Sequence, residues 1–149
     1  MFTRVLIAFL LLPGIVAFVI PATWIWHTAQ INQFQPFGLV PFAFGLVMLL
    51  LCVWDFYVEG KGTLAPWAPP RNLVVVRLYR YSRNPMYLSV ALIISGWAIS
   101  FCSMSLFVYT ILVVIIFHLH IVLGEEPWLA RAHGTKWKLY SSRVPRWFW

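Results

Sequence analysis

The sequence from Asn84 to Gly124 reads NPMYLSVALIISGWAISFCSMSLFVYTILVVIIFHLHIVLG, and these 41 consecutive residues include no Asp, Glu, Lys or Arg. A helix needs about 20 apolar residues to cross a bilayer, so this stretch is long enough for two crossings. A polar cluster near its middle, formed by Ser100, Ser103 and Ser105, marks a plausible turn. The stretch therefore predicts a hairpin of two membrane-spanning helices, at about residues 86–102 and 104–123.

Two further uncharged stretches precede the hairpin, from Val5 to Trp26 and from Phe37 to Trp54. They predict two more spans, at about 5–26 and 37–57. The first stretch could instead be a signal peptide that begins after Arg4, although no small-x-small cleavage site follows it cleanly. We expect an all-α polytopic membrane protein in which residues 1–149 form a single membrane domain. Its four transmembrane helices would end in a C-terminal helical hairpin and a cytoplasmic tail.

The composition supports a membrane protein, since 62% of the 149 residues are hydrophobic and only 10% are charged. Soluble domains are nearer half apolar and a quarter charged, and so small a core cannot hide the excess. The net charge of +7 does not indicate a nucleic-acid partner, because no soluble domain is present to carry a basic face. Cys52 and Cys102 fall near opposite ends of the predicted spans and cannot pair, and no His/Cys cluster suggests a metal site.

The eleven Lys and Arg residues are distributed on one side of the predicted spans, which sets the orientation. Arg4 precedes the first span, whereas residues 27–36 and the turn at residue 103 contain none. Because cytoplasmic loops of membrane proteins are enriched in Lys and Arg, both termini and the central loop are expected in the cytoplasm. The other ten lie in the central loop (Lys61, Arg71, Arg77, Arg80, Arg83) and in the tail (Arg131, Lys136, Lys138, Arg143, Arg146).

Two polar segments flank the hairpin and are the candidates for chemistry. Residues 73–87 read LVVVRLYRYSRNPMY, and residues 125–146 read EEPWLARAHGTKWKLYSSRVPR. Two adjacent carboxylates at a membrane surface repel each other, so they require a cationic partner from the central loop or from a ligand. Trp137 and Tyr140 are three residues apart on one helical face, where they are suited to stack on a membrane or a purine.

In this order, and separated by a hairpin of this length, the two segments resemble the isoprenylcysteine carboxyl methyltransferase and phospholipid N-methyltransferase superfamily of membrane enzymes. The resemblance covers about residues 60–146. It implies S-adenosylmethionine as the methyl donor, bound at the cytoplasmic face by segments 71–87 and 124–146, and a lipid or other hydrophobic acceptor. The residues that the resemblance places in the cofactor site are Leu73, Val74, Tyr79, Asn84, Pro85, Met86, Tyr87 and Glu125.

Methyl transfer from a sulfonium depends mainly on alignment of the reacting atoms, and a cationic donor favours carboxylates and aromatic faces. Tyr140 supplies such a face and joins the predicted cofactor site. If the acceptor is an ammonium group, a base is also required, and His118 or Glu126 is the candidate. His118 and Glu125 are seven residues apart and are expected on one helical face, whereas His120 is expected to point elsewhere.

The sequence departs from the superfamily pattern at several positions. Asn84 replaces a histidine, and Arg77 with its neighbour replaces a glycine-containing pair. The carboxyl methyltransferases carry an arginine four residues before the glutamate pair, and this position is Ile121. An unpaired carboxylate would be held poorly there, which disfavours a prenylcysteine acceptor. Arg80 or Arg83 could supply the missing charge, and Arg83 is therefore also a candidate catalytic residue.

Other functions remain open from the sequence. The main alternative is a non-enzymatic four-span protein, such as a small exporter or an assembly subunit, and related membrane reductases share the same hairpin. A proton-driven exporter requires an acid within a span. Here Asp55 and Glu59 lie at the cytoplasmic end of the second predicted span, where they are expected to anchor the helix at the interface beside Lys61. The oligomeric state is not predicted.

Overall fold

The computed structural model describes residues 10–28, 34–59 and 73–148, and within these ranges the chain is helical with short connections and contains no strand. This confirms the prediction of an all-α protein for the described residues. The first helix, α1, runs in π-helical geometry over Leu10–Val19 and in α-helical geometry over Ile20–His27. The others are α2 (Leu39–Val58), α3 (Pro85–Ser100), α4 (Met104–His120), α5 (Glu126–His133) and α6 (Thr135–Arg143). Shorter elements are the 3-10 turns Pro36–Gly38 and Arg77–Arg80 and the π-helical turn Ile121–Glu125.

Two of the described helical stretches are long and apolar enough to cross a membrane, Pro36–Val58 and Met104–His133. Two shorter apolar helices, Pro13–His27 and Pro85–Ser100, correspond to the first and third predicted spans. Residues 5–9 of the first predicted span lie outside the described residues. The number of spans therefore stays a prediction, while two apolar helices of spanning length are a property of the fold.

The last apolar helix continues beyond residue 123, where the predicted span ends, through the π-helical turn into α5. Its 30 residues correspond to about 45 Å at 1.5 Å per residue. A bilayer core is only about 30 Å thick. The helix is thus long enough to carry Glu125 and Glu126 beyond the apolar layer.

The turn between α3 and α4 lies at the serine cluster. Cys102 has a positive φ of 48°, and the buried Ser103 donates its backbone N–H to the carbonyl oxygen of Ala98 at 2.9 Å. The Ser103 and Ser105 hydroxyl groups lie 3.4 Å apart. A backbone hydrogen bond therefore closes the turn, and the two serine hydroxyl groups are partners for each other.

Glycines allow α2 and α3 to approach closely. A Cβ added to Gly45 would lie 2.7 Å from the carbonyl oxygen of Ser89, and one added to Gly96 would lie 2.6 Å from the Cβ of Phe42. Small residues at such positions let the backbones of membrane helices come into contact. This contact fixes α3, whose first turn carries part of the candidate site.

Pro21 explains how α1 is held against the hairpin. Proline has no N–H, so it cannot bond to the carbonyl group of Ala17 four residues earlier, or to that of Val16 five residues earlier. Trp97 of α3 donates its indole N–H to the Ala17 oxygen at 3.0 Å, and Tyr109 of α4 donates its hydroxyl to the Val16 oxygen at 3.1 Å. Neighbouring helices thus satisfy the carbonyl groups that the proline frees.

Candidate active site

The candidate site lies where the segment before α3 meets the C-terminal tail. The backbone N–H of Arg83 donates to the carbonyl oxygen of Pro145 at 2.9 Å. The carbonyl oxygen of Arg146 accepts from the amide of Asn84 at 3.1 Å and from the hydroxyl of Ser82 at 3.2 Å. Ser82 and Asn84 are both buried. These bonds join two segments more than 60 residues apart in sequence and give the junction a defined geometry.

Glu126 is clamped by two arginines, one from each side of this junction. Arg146 donates to both of its carboxylate oxygens, from Nε at 2.8 Å and from Nη2 at 2.7 Å, and Arg83 Nη1 lies 2.9 Å from Oε1. Bidentate arginine–carboxylate bonds of this kind are among the strongest in proteins. The Arg83 guanidinium also lies 5.7 Å from the centre of the Trp137 ring. Arg83 of the central loop therefore supplies the cationic partner that the glutamate pair requires.

The clamp bears on the predicted roles of Glu126 and Arg83. Both oxygens of Glu126 are engaged by guanidinium groups, so neither is free to take a proton from an acceptor. The hydrogen bond to Glu126 in turn raises the pKa of Arg146, which keeps that side chain charged. The geometry thus favours positioning over base catalysis for Glu126, and it commits the charge of Arg83 to the clamp.

Glu125 faces a different set of partners. The Tyr87 hydroxyl at the start of α3 donates to Glu125 Oε1, and His120 Nε2 lies 3.5 Å from the same oxygen. The expectation that His120 points away from Glu125 is wrong, because a π-helical turn intervenes at residues 121–125. Its wider turns place residues i and i+5, rather than i and i+7, on one side. His118 instead stacks on Trp147, with ring centres 6.2 Å apart.

Tyr79 and Tyr140 form part of the scaffold beside the site. The Tyr140 hydroxyl donates to the carbonyl oxygen of Tyr79 at 2.7 Å, and both side chains are buried. Burial raises the pKa of each phenol above its usual value, so both remain neutral at physiological pH. Trp137 and Tyr140 pack edge to face at 5.8 Å, and both are buried. In this structure the two rings pack against each other, and their stacking on a membrane or a purine stays a prediction.

The remaining predicted cofactor residues shape the backbone between these contacts. Leu73 packs against the cluster of Trp137, Tyr140 and Val144, and Val74 packs against Tyr79. Pro85 is the buried first residue of α3, where the missing N–H of proline has no cost. Packing and one hydrogen bond thus connect Leu73, Val74, Tyr79, Met86 and Tyr140, and Asn84 is bonded to the tail. Tyr87 and Glu125 form a further polar contact. Binding of a cofactor by these residues stays a prediction.

Asp55 behaves differently from a residue at an interface. Its side chain is only 3% exposed, and its carboxylate lies 3.4 Å from the Arg77 guanidinium. The interfacial anchor expected beside Lys61 is thus a buried carboxylate paired with the loop, and Lys61 itself lies outside the described residues. Cys52, one helical turn before Asp55, is buried against Tyr79, and both Cys52 and Cys102 are free thiols.

Sequence reasoning missed several residues of the junction, namely His120, Ser82, Pro145 and Trp147, and it gave Arg146 no role beyond positive charge. The contacts of Ser82 and Pro145 involve backbone carbonyl oxygens, which leave no signature in sequence. The position of His120 depends on the π-helical turn, whose local cue is Gly124 followed by two acids and Pro127. The sequence did hold a signal for Arg146, because the glutamate pair requires a cationic partner and the tail that follows it is rich in Lys and Arg.

Comparison with known protein families gives a match that covers most of the chain. The phospholipid methyltransferase family model matches residues 34–136, which is 103 of 149 residues. The match runs from the start of α2 through the hairpin and the glutamate pair to the start of α6. No curated protein and no solved structure matches the chain. The resemblance found from the two flanking segments is confirmed, and the chain belongs to the phospholipid methyltransferase family.

Proposed function

We propose that this protein transfers a methyl group from S-adenosylmethionine to a lipid or other hydrophobic acceptor at the cytoplasmic face of a membrane. Family membership implies methyl transfer to a lipid-type acceptor and favours this activity over an exporter or an assembly subunit. The donor and the membrane face are the parts that we add. The observation that carries the proposal is the contact of Tyr87 with Glu125, which joins the two segments on either side of the hairpin.

The residues at this contact suit a sulfonium donor. Glu125 is a carboxylate with 36% of its side chain exposed, and Tyr87 holds one of its oxygens. A carboxylate and aromatic groups are the chemistry that attracts a cationic centre. S-adenosylmethionine bound here would supply an electrophilic methyl group. Glu125 and Tyr87 would hold its charged part, while the segment from Leu73 to Met86 would shape the rest of the cofactor site.

A chain that aligns the reactants can do most of the catalysis in such a reaction. Bringing nucleophile and methyl group into line replaces a bimolecular encounter and requires no covalent intermediate. The clamp on Glu126 and the bonds between Asn84 and the tail hold the junction in one geometry. These contacts would keep the cofactor site aligned with an acceptor that enters between the helices.

We also propose four membrane spans in a single domain of residues 1–149, with both termini in the cytoplasm. The start of α3 is bonded to the tail, so the central loop and the tail lie on the same side of the helices. The turn at residues 101–103 lies at the other end of α3. All eleven Lys and Arg residues fall in the segments assigned to the cytoplasmic side.

For the acceptor, we propose a hydrophobic molecule without a free carboxylate, such as an amine lipid. Ile121 is fully buried and offers no charge at the position where carboxyl methyltransferases carry an arginine. Arg83 is held by Glu126 and is not free to replace it. A desolvated carboxylate would remain unpaired there, which is costly.

Binding and turnover in nanodiscs test these proposals. Calorimetry should show one S-adenosylmethionine and one S-adenosylhomocysteine site per chain, and labelled donor should methylate amine lipids faster than a farnesylated cysteine analogue. Absence of heat and of a thermal shift with either compound would remove the methyltransferase assignment. Efficient methylation of the farnesylated carboxylate by the unmodified protein would overturn the choice of acceptor, whereas gain of that activity only in Ile121→Arg would support it.

A further inference from the structure

We propose that Glu125 and His120 form a relay that carries the proton of an ammonium acceptor to cytoplasmic water, with Tyr87 as the residue that orients Glu125. The inference rests on the proposed methyl transfer and adds a route for the proton that such a reaction releases. It assigns a role to His120, which lies outside the sequence-predicted site. It also removes the need for Glu126 or His118 as the base.

The three side chains form a connected series from the helix interior to the surface. Tyr87 is half-buried and packs against Phe117 with ring centres 4.6 Å apart. Its hydroxyl donates to Glu125 Oε1, and His120 Nε2 lies 3.5 Å from that same oxygen. The exposed fraction of the side chain rises to 36% at Glu125 and to 52% at His120. A proton received by Glu125 thus has an imidazole beside it that water can reach.

The neighbouring charged groups distinguish Glu125 from its partner in the glutamate pair. Glu126 of α5 is held by Arg83 from the loop and by Arg146 from the tail. Glu125 faces the Tyr87 hydroxyl from α3 and His120 from α4, and no arginine of the described residues forms an ion pair with it. A carboxylate that faces a hydroxyl group and an imidazole, and is not held by guanidinium groups as Glu126 is, keeps more of the basicity that a proton acceptor requires.

The proton balance of the step is simple. An ammonium acceptor gives one N–H proton to the Glu125 carboxylate, and the freed lone pair on nitrogen forms the new N–CH3 bond. The C–S bond of the sulfonium donor breaks, and its electron pair stays on sulfur. Glu125 passes the proton to the neutral imidazole of His120, which releases it to water. The positive charge of the donor ends on the methylated nitrogen, and one proton leaves.

A donor-free measurement tests the pair itself. Histidine NMR of the full chain in nanodiscs should show that the ring resonances of His120 move in Glu125→Gln, because the substitution changes the group that lies 3.5 Å from its Nε2. The exposed His27, at the end of α1, serves as the control, and its resonances should not move. His120 resonances that are the same in both proteins would overturn the inference without touching the proposed function.

Measurements of enzyme turnover provide a second test of the relay. His120→Ala should bind S-adenosylmethionine within about twofold of wild type, lower kcat for an amine lipid at least about tenfold, and regain most of that rate with added imidazole, as expected for loss of a proton-transfer group. His27→Ala should behave as wild type. Full kcat and an unchanged pH profile in His120→Ala without imidazole would overturn the relay. If wild type itself neither binds the donor nor methylates lipid, it is the proposed function that fails.

Discussion

Arg77 combines an unfavourable backbone with a favourable side-chain contact. Its φ of 43° lies in the left-handed region, which costs a non-glycine residue about 1–2 kcal/mol. The superfamily has a glycine-containing pair here, whereas this chain places a guanidinium 3.4 Å from the buried Asp55. The ion pair offsets the backbone cost and ties the loop before α3 to the end of α2.

Substitutions at position 77 should separate the two effects. Arg77→Ala keeps the strained backbone and leaves Asp55 buried without its cation, so it should lower the thermal unfolding midpoint in detergent. Arg77→Gly also loses the ion pair but relieves the backbone, and should be less destabilising than Arg77→Ala. Asp55→Asn combined with Arg77→Gly should recover part of the loss. Equal midpoints for the alanine and glycine variants would contradict the strain at this residue.

Substitution of each of the two adjacent glutamates by glutamine should have a different effect. If Glu125 holds the donor as proposed, Glu125→Gln removes one charge-assisted contact and should weaken S-adenosylmethionine binding by about 1.5–3 kcal/mol, measured by calorimetry. Glu126→Gln leaves Arg83 and Arg146 without their shared counter-charge, so its main effect should be on stability and on proteolysis of the tail. Unchanged donor affinity in Glu125→Gln would show that Glu125 has no part in the cofactor site.

These residues show how far the sequence can specify a site. The glutamate pair, Tyr87 and Arg83 could be selected because their residue types match a known pattern or a charge requirement. Two features depend on the three-dimensional structure. The path of the tail places Arg146 as the second arginine on Glu126, and the direction in which each helical residue points places His120 rather than His118 beside Glu125. Neither follows from local spacing, since a single π-helical turn changes which side chains share a face.

Among the helices, the boundary of α4 shows the same limit. The uncharged stretch ends at Gly124, and the predicted span therefore ended at residue 123. The chain continues as a helix beyond this point, with the π-helical turn Ile121–Glu125 directly before α5 and its Pro127. The hairpin turn, by contrast, could be placed from sequence, since three serines interrupt an otherwise apolar stretch.

The contact of Trp97 with α1 offers a test of helix packing. Trp97→Phe keeps an aromatic ring but removes the donor to the Ala17 carbonyl oxygen. The cost should be about 0.6 kcal/mol, the average for side-chain hydrogen bonds between membrane helices, and at most about 1.7 kcal/mol. Pro21→Ala restores a backbone N–H for that oxygen, so the cost of Trp97→Phe should shrink in this background. A double-mutant cycle of unfolding free energies in detergent measures the coupling. If the two substitutions change the unfolding free energy additively, Pro21 is not the reason why the Ala17 carbonyl oxygen requires the indole N–H of Trp97.

For the molecule as a whole, the junction lies at one end of the helices and the turn between α3 and α4 at the other. Exposed cations such as Lys136 and Lys138 accompany the junction, whereas the turn carries none. A water-soluble donor would therefore reach Glu125 from the charged side, and a lipid acceptor would approach through the apolar faces of the helices. The orientation in the membrane decides whether this arrangement can work, because the donor must be available on the charged side.

The native thiols provide a direct measurement of that orientation. Cys102 is exposed at the turn between α3 and α4, whereas Cys52 is buried, so a membrane-impermeant maleimide should label Cys102 alone. With the tail in the cytoplasm, Cys102 should react in intact cells from outside. A Cys102→Ser variant carrying Lys138→Cys in the exposed part of α6 should react only after permeabilisation. The reverse pattern would place the glutamate pair on the side away from the cytoplasm and would contradict both the charge rule and donor access.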